Sequence, residues 1–343
     1  MPGLFDPLPL RGLTLKNRVM MSPMIQVSAG EDGRATDWHL VHYGSRAVGG
    51  AALLMVEATA VTPEGRITTE DLGLWSDAQV EGLARVASFC RSQGAKIGIQ
   101  LAHAGRKAWS RERGLGPQGA VAPSALPFEA DWPTPHELSP AEIEGLVVAF
   151  RRAAERALKA GFDVVELHAA HGYLLNEFLS PLANRRVDAF GGSLDNRLRL
   201  PLAVVASVRE VWGQRPLFVR VSATDYAAGG IDLARMVEIA RALREAGVDL
   251  LDVSSGGVTP EQPASWPGYQ IPFAETIRRE AGLPTAAVGL ITTTTMAEEV
   301  VRNGRADLVV LGRELLRNPY WPLPAARSLG GDLPWPHQYE RAR

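Results

Sequence analysis

The sequence predicts an α/β protein built as a (β/α)8 TIM barrel with long loops at its C-terminal face. Three observations carry this expectation. Eight short, β-branched apolar runs recur along the 343 residues, and amphipathic stretches ending in glycine lie between several of them. Three long insertions follow the third, fourth and sixth runs. Near-continuous apolar strands are what a parallel sheet covered by helices requires. A barrel of this kind needs about 250 residues, which leaves room for the insertions.

In chain order the strands are expected at Arg18–Pro23, Ala51–Glu57, Lys96–Leu101, Asp163–His168, Leu217–Ser222, Asp249–Ser254, Thr285–Leu290 and Asp307–Gly312. Between them, Val80, Leu83, Ala84, Ala87 and Cys90 fall on one helical stripe, which makes Cys90 a small core residue. Ser139-Pro-Ala-Glu142 reads as a capping box with proline at the first helical position, and that helix stops at Gly161. Thr295-Met-Ala-Glu298 reads as a second box, closing near Gly304. The insertions are His103–Leu138, Ala169–Arg199 and Gly256–Pro272, and long ordered loops in compact domains are usually functional. A doubly wound sheet is the alternative architecture, but no G-x-G-x-x-G follows any strand.

Composition narrows the function. At 46% hydrophobic and 22% charged residues the chain can bury a full core. A net charge of −2 gives no field to recruit nucleic acid or an anionic membrane, and the basic run at 106–113 (RKAWSRER) reads as solvated or ligand-facing. One cysteine excludes an intrachain disulfide and any multi-cysteine metal centre. The N-terminus lacks a basic region followed by an apolar one, and no run is long enough to span a bilayer, so a cytoplasmic location is expected.

If the strands are placed correctly, unusual polar residues collect at their C-terminal ends: Pro23-Met24, Ala58, Gln100 with His103, His168 with His171, Arg220, Ser254-Ser255, Gly289, and Gly312-Arg313. In this fold that face carries active sites. Glycines after strands seven and eight, with Arg313 adjacent, match the place where barrels bind phosphate. Arg220, between Val219 and Val221, needs a buried anion, either a structural carboxylate or a ligand that gains negative charge.

The stretch HAAHGY (168–173) leaves strand four. A metal site would need further ligands, and although Glu166 and Glu177 are near in sequence, no H-E-x-x-H or cysteine set supports it. A serine or cysteine nucleophile lacks its G-x-S-x-G context. Two neutral imidazoles donating to one carbonyl oxygen, with Tyr173 as proton source, is a third reading. Histidines satisfied within a loop are the fourth. His39 and His42 read as packing or helix-end residues.

Several longer motifs are specific: LKNRVMMSPM (15–24), VEATAV (56–61), GRIT (65–68) with DLGLWSD (71–77), IQLAHAGRKA (99–108), GFDVVELHAAHGYLLNEFLSPLANRR (161–186), FGGSLDNR (190–197), FVRVSATDY (218–226), NGRADLVVLGRELLRNP (303–319) and QYER (338–341). On these, nearly end to end, the chain resembles the Old Yellow Enzyme family of flavin-dependent ene-reductases, in its thermophilic-like bacterial branch.

That resemblance implies one domain over residues 1–343, with FMN at the barrel mouth, reduced by NADPH and reoxidised by an activated alkene. It implies that Ser22, Pro23, Met24, Ile25 and Ala58 contact the isoalloxazine and that Gln100 bonds its pyrimidine side. Arg220 would face the negative charge near N1, and Gly289, Gly312 and Arg313 would hold the phosphate, with Lys107 a further neighbour of the cofactor. His168 and His171 would clamp the substrate carbonyl, Tyr173 would give the proton, and Val27 would touch the substrate. The QYER ending implies that Arg341 reaches a neighbouring subunit's site in a homodimer or homotetramer.

One departure stands out. The branch has a cysteine just after S-P-M and a tyrosine two residues on, where this chain has Ile25 and Val27. The expectation is an altered redox potential and a roomier, more apolar pocket. Alternatives are a nitroester or nitroaromatic reductase at the same site, or a non-redox barrel lyase.

Overall fold

Strands that are apolar on both faces need cover on both sides, and closing the sheet on itself provides it. The computed structural model describes residues 1–343 apart from 111–113, 116–118 and 262. At its centre eight parallel strands close into a barrel: β1 (Val19–Met21), β2 (Leu53–Ala60), β3 (Lys96–Ala102), β4 (Val164–Ala169), β5 (Leu217–Ser222), β6 (Leu250–Ser254), β7 (Thr285–Ala287) and β8 (Leu308–Leu311). Pairing of Val309 with Val19 closes the ring, so the sheet is a barrel and not the doubly wound alternative. Each strand lies within the expected run or overlaps it. β2 runs on to Ala60 because a bulge between Val56 and Ala58 re-aims its end.

Alternation assigns the faces. Val165, Leu167, Val219, Val221, Leu251 and Val253 join the layer beneath the helices. Met20, Leu53, Met55, Val164, Phe218, Leu250, Ala286, Leu308 and Val310 fill the barrel interior. Leu8, Leu10 and Leu15 belong to the same interior cluster. They come from an antiparallel hairpin, Leu8–Leu10 with Leu13–Leu15, that plugs the N-terminal end. Arg18 fastens the plug, donating to the carbonyls of Asp307 and Pro7. The barrel is therefore sealed below and open only at its C-terminal mouth.

The helices begin and end largely as the sequence implies. Ser139 and Glu142 exchange both capping-box bonds at the start of the helix Pro140–Lys159. On the helix Val80–Ser92, Leu83, Val86, Ala87 and Cys90 are buried. The second box is corrected: the helix is Thr294–Arg302, its cap is Thr293, and the Thr293 hydroxyl accepts from Met296 N–H. Glu298 is drawn away from capping because it accepts the Leu4 N–H at 2.7 Å and pairs with Arg302. His39 and His42 are buried on the helix Asp37–Val48, where His39 Nδ1 accepts from Thr36 N–H. The insertion His103–Leu138 lies partly outside the described residues, as do three members of the basic run. Among the described residues no helix is long and apolar enough to cross a membrane.

Leu15 is fully buried in the plug. Leu15→Ala is expected to lower unfolding free energy by about 2–5 kcal/mol, read by urea denaturation, while leaving ligand binding at the mouth intact. An unchanged midpoint would mean that the hairpin does not seal the core.

Candidate active site

Backbone strain marks the mouth before any chemistry is considered. Among the described residues four non-glycine positions have positive φ: Val27 (50°), His171 (61°), Tyr226 (56°) and Leu290 (54°). They lie on the loops after β1, β4, β5 and β7. Such conformations cost on the order of 1–3 kcal/mol each and persist where surrounding structure imposes them, often at functional sites.

In HAAHGY, Gly172 is required. Its φ is 71°, and a Cβ there would lie 2.1 Å from the Gly257 carbonyl oxygen. This close approach locks the β4 loop against the β6 loop. His168 and His171 then face each other edge to face with ring centroids 5.2 Å apart, and Tyr173 lies 4.9 Å from His168. His168 Nδ1 accepts from Ala170 N–H, so the neutral ring carries its proton on Nε2. His171 Nε2 is 2.7 Å from Ser254 Oγ, and its backbone N–H donates to Ser222 Oγ. Burial, followed by the charge of Arg220, holds both histidines well below their ordinary pKa, so both are neutral. Burial raises the Tyr173 phenol, with the charge of Asp71 adding to it.

Beneath the histidines the barrel turns polar. Register pairs Gln100 with Glu166, His168 with Arg220, and Arg220 with Asp252. Gln100 donates to Glu166 Oε1 at 2.8 Å, and Arg220 Nε lies 3.1 Å from Asp252 Oδ2. All four side chains are buried. Asp252 and its role went unread from sequence, although an aspartate inside the apolar run DLLDVS was a signal.

Arg220 also lines a cavity of about 250 Å³ with Ser254, Gly289, Gly312, Arg313 and Arg317. The expected phosphate residues thus share one space with the expected buried arginine, and Arg317 adds a cation that sequence reading missed. A Cβ on Gly312 would meet nothing closer than Met24 Sδ at 3.5 Å and Ser22 Cβ at 3.8 Å. Protein packing alone does not demand glycine there, whereas a ligand approaching the backbone would.

Ile25, Ala58 and Tyr173 line a second, narrow cleft of about 10 Å³ with Ala60, Ala102 and Ala104. Arg66 and Asp71 add charged groups to its otherwise largely apolar wall. Pro23 is buried and Val27 half-buried. The Lys107 ammonium donates to the carbonyls of His171 and Gly257 and lies over the rings of Phe128 and Tyr173. Burial pushes it down to about 8. Arg341 is exposed in the C-terminal turn His337–Ala342 and is not brought to this mouth within the chain. Among the described residues no group of three or more His, Cys, Asp or Glu side chains could hold a metal ion.

Comparison with known proteins decides the class. The model of the NADH:flavin oxidoreductase / NADH oxidase family matches residues 3–330. The chain belongs to this family. The flavin oxidoreductase is 56% identical over 339 residues, 98% of each chain, to an NADPH dehydrogenase of Geobacillus thermodenitrificans (strain NG80-2). It is 53% identical over 341 residues to an NADPH dehydrogenase of Bacillus licheniformis, covering 99% of this chain and 98% of that one. Among solved structures it resembles morphinone reductase, with TM-score 0.83, 34% identity, and coverage of 97% and 91%. It also resembles the Old Yellow Enzyme homologue from Zymomonas mobilis, with TM-score 0.80, 31% identity, and coverage of 94% and 91%. The flavin oxidoreductase is therefore of Old Yellow Enzyme type, with FMN as cofactor and a nicotinamide as reductant, and the lyase alternative falls.

The residues present fit FMN. Arg313 and Arg317 supply cations beside open glycine backbone, Arg317 paired with Glu314 on the same lining, and Arg220 presents a guanidinium to the same cavity. Arg220 Nε and Asp252 are ion-paired at 3.1 Å without a well-directed hydrogen bond, and Glu166 Oε2 is buried without one.

One buried acid stands apart from the mouth. Glu177 accepts Arg106 N–H at 2.9 Å, and burial pushes it up to about 8. Its folded pKa exceeds its unfolded value, so its contribution to stability is complete below about 4.5 and is lost as pH rises through about 8. Glu177→Gln should therefore flatten the fall in apoprotein stability between about pH 5 and 8, by on the order of 1 kcal/mol per pH unit. Urea titrations at several pH values would test this, and parallel wild-type and variant curves would refute it.

Proposed function

We propose that this flavin oxidoreductase is an NADPH-dependent ene-reductase that reduces the C=C bond of α,β-unsaturated carbonyl compounds, the whole chain 1–343 acting as one catalytic domain. The observation that carries this reading is the perpendicular pair of neutral histidines beside Tyr173, above a cavity lined by Arg220. FMN, when bound, supplies the hydride chemistry. Ser22, Pro23, Met24, Ile25 and Ala58 would meet its ring, Gln100 and Arg220 its pyrimidine side, and Gly289, Gly312, Arg313 and Arg317 its phosphate.

Substrate polarisation falls to the histidines. His168 donates from Nε2 to the carbonyl oxygen, where negative charge builds as the β-carbon accepts hydride. His171 can donate from Nδ1 only if Nε2 is the acceptor, which requires the Ser254 Oγ–H, 2.7 Å away, to point to that nitrogen rather than to Gln270 Oε1 at 3.4 Å. Neutral donors suit this task because they need not lose a proton to the product. Tyr173 holds the proton for the α-carbon, and its raised pKa keeps it protonated at neutral pH. Val27 would border the substrate. In a homodimer or homotetramer in the cytoplasm, Arg341 would reach a neighbouring subunit's mouth.

Turnover of a cyclic enone, a maleimide and a nitroester with NADPH tests the substrate class. Enone reduction is expected, and turnover of the nitroester alone would replace this reading with the nitroester one. His168→Ala with His171→Ala should weaken phenol binding at least tenfold while FMN is retained, and release of FMN would contradict the clamp. Ser254→Ala should weaken phenol binding several-fold, because it removes the hydroxyl that lies 2.7 Å from His171 Nε2. Tyr173→Phe should slow reoxidation by enone but not reduction by NADPH in stopped-flow absorbance.

A further inference from the structure

Two buried carboxylates face one guanidinium inside the barrel. Glu166 and Asp252 are both fully buried, on β4 and β6. Arg220 on the intervening β5 is in register and ion-paired with Asp252, while Glu166 lies two residues before the register partner His168, within reach of the Arg220 and Asp252 charges. Glu166 Oε1 has one donor, Gln100, while Glu166 Oε2 and both Asp252 oxygens are buried without hydrogen bonds. If both acids were ionised, the cluster would carry a net negative charge in a dry interior, and such a cost is met by holding a proton. We propose that Glu166 and Asp252 form a proton-holding pair beneath Arg220 that takes up one further proton when the flavin is reduced. This rests on the reading that the flavin pyrimidine lies against Arg220.

The physical reason is that Arg220 is already partly spent on Asp252. Negative charge arriving on the far side of the guanidinium therefore meets an incompletely compensated site, and a proton on the pair restores the balance. Two electrons and one proton come as hydride from NADPH. The additional proton comes from solvent and forms an O–H bond on a carboxylate oxygen, so no other reductant is required. The charged and titratable groups facing the pair are Arg220 on β5 and the neutral His168 and His171 above it. From β3 comes the uncharged Gln100, and β1, β2, β7 and β8 give the interior Met20, Met55, Ala286 and Val310. Burial first, then the charge of Asp252, pushes Glu166 up to about 8. Uptake linked to reduction therefore belongs to the alkaline side of that value.

The test is the flavin midpoint potential from about pH 6 to 10 in wild-type holoenzyme and in Glu166→Gln, which keeps the acceptor for Gln100. Above about pH 8, wild type should be steeper than the variant by one proton per two electrons, a tenfold change in the equilibrium per pH unit or about 30 mV. Superimposable potential–pH curves would overturn the proposal. If Glu166→Gln does not fold, indicator-dye proton counts on photoreduction of wild type should be larger near pH 9 than near pH 6.5, and equal counts would overturn it. A purified chain that holds no FMN and cannot be reconstituted with it would instead defeat the flavin reading beneath it.

Discussion

A single guanidinium inside the barrel organises the chemistry around it. Arg220 can stay charged there only with an anion close by, and Asp252 on the next strand supplies one at 3.1 Å. The same positive charge adds to burial in keeping His168 and His171 neutral. It also works against the desolvation that pushes Glu166 and Asp252 toward their protonated forms. Burial is the larger cause at all four side chains, and the Arg220 charge acts on each of them in addition. Such a cluster is tolerable because the lower barrel is entirely apolar and sealed by the Leu8–Leu15 hairpin, which leaves the mouth as the route by which solvent reaches it.

Holding the mouth in shape is a separate problem, solved by the loops themselves. The Gly105 backbone, with φ of 62°, passes so close to Glu177 that a Cβ there would lie 2.2 Å from Oε1. Arg106 spreads its guanidinium over the carbonyls of Leu126, Pro127 and Val258. Lys107 reaches those of His171 and Gly257. The β3 loop is thereby fastened to the β4 and β6 loops by three consecutive residues of HAGRK. This gives Lys107 a part in holding the loops together. It also explains why His171 can persist at positive φ: its carbonyl is held by Lys107 and its N–H by Ser222.

The barrel was legible because its signals are periodic and local. Eight apolar runs and the capping chemistry at Ser139 depend on neighbours a few residues away. The second helix start was misread by two residues because Glu298 has a partner almost three hundred positions distant, at Leu4. At the site, residue identities at strand ends could be read, and so could the need of Arg220 for an anion. Its partner could not be chosen, because Asp252 is aligned with it only by parallel register across two strands. The bond between His171 and Ser254 was hidden for the same reason: it joins positions 83 residues apart.

Ile25 and Val27, the two departures from the family pattern, lie on a backbone held from outside the pocket. Gln26 N–H donates to buried Glu57 at 2.5 Å, and Glu57 is held in turn by Tyr43 and His39 on the helix Asp37–Val48. The Gln26 side chain bonds the Met24 carbonyl and accepts from Trp38, while Ser28 donates to the Gln26 carbonyl. None of these bonds involves the side chain of residue 25 or 27. The bulge after Val56 aims Glu57 outward to this network and leaves Ala58 at the mouth. The loop's path, including the strained φ of Val27, is therefore set by Glu57 and its partners. Ile25, which borders the cleft, and Val27 can differ from the residues of relatives without loss of any of these bonds. Pocket lining is thus separable at Ile25 from the hydrogen bonds that set the loop's path, whereas a change at Val27, with φ of 50°, also alters the backbone strain stored there.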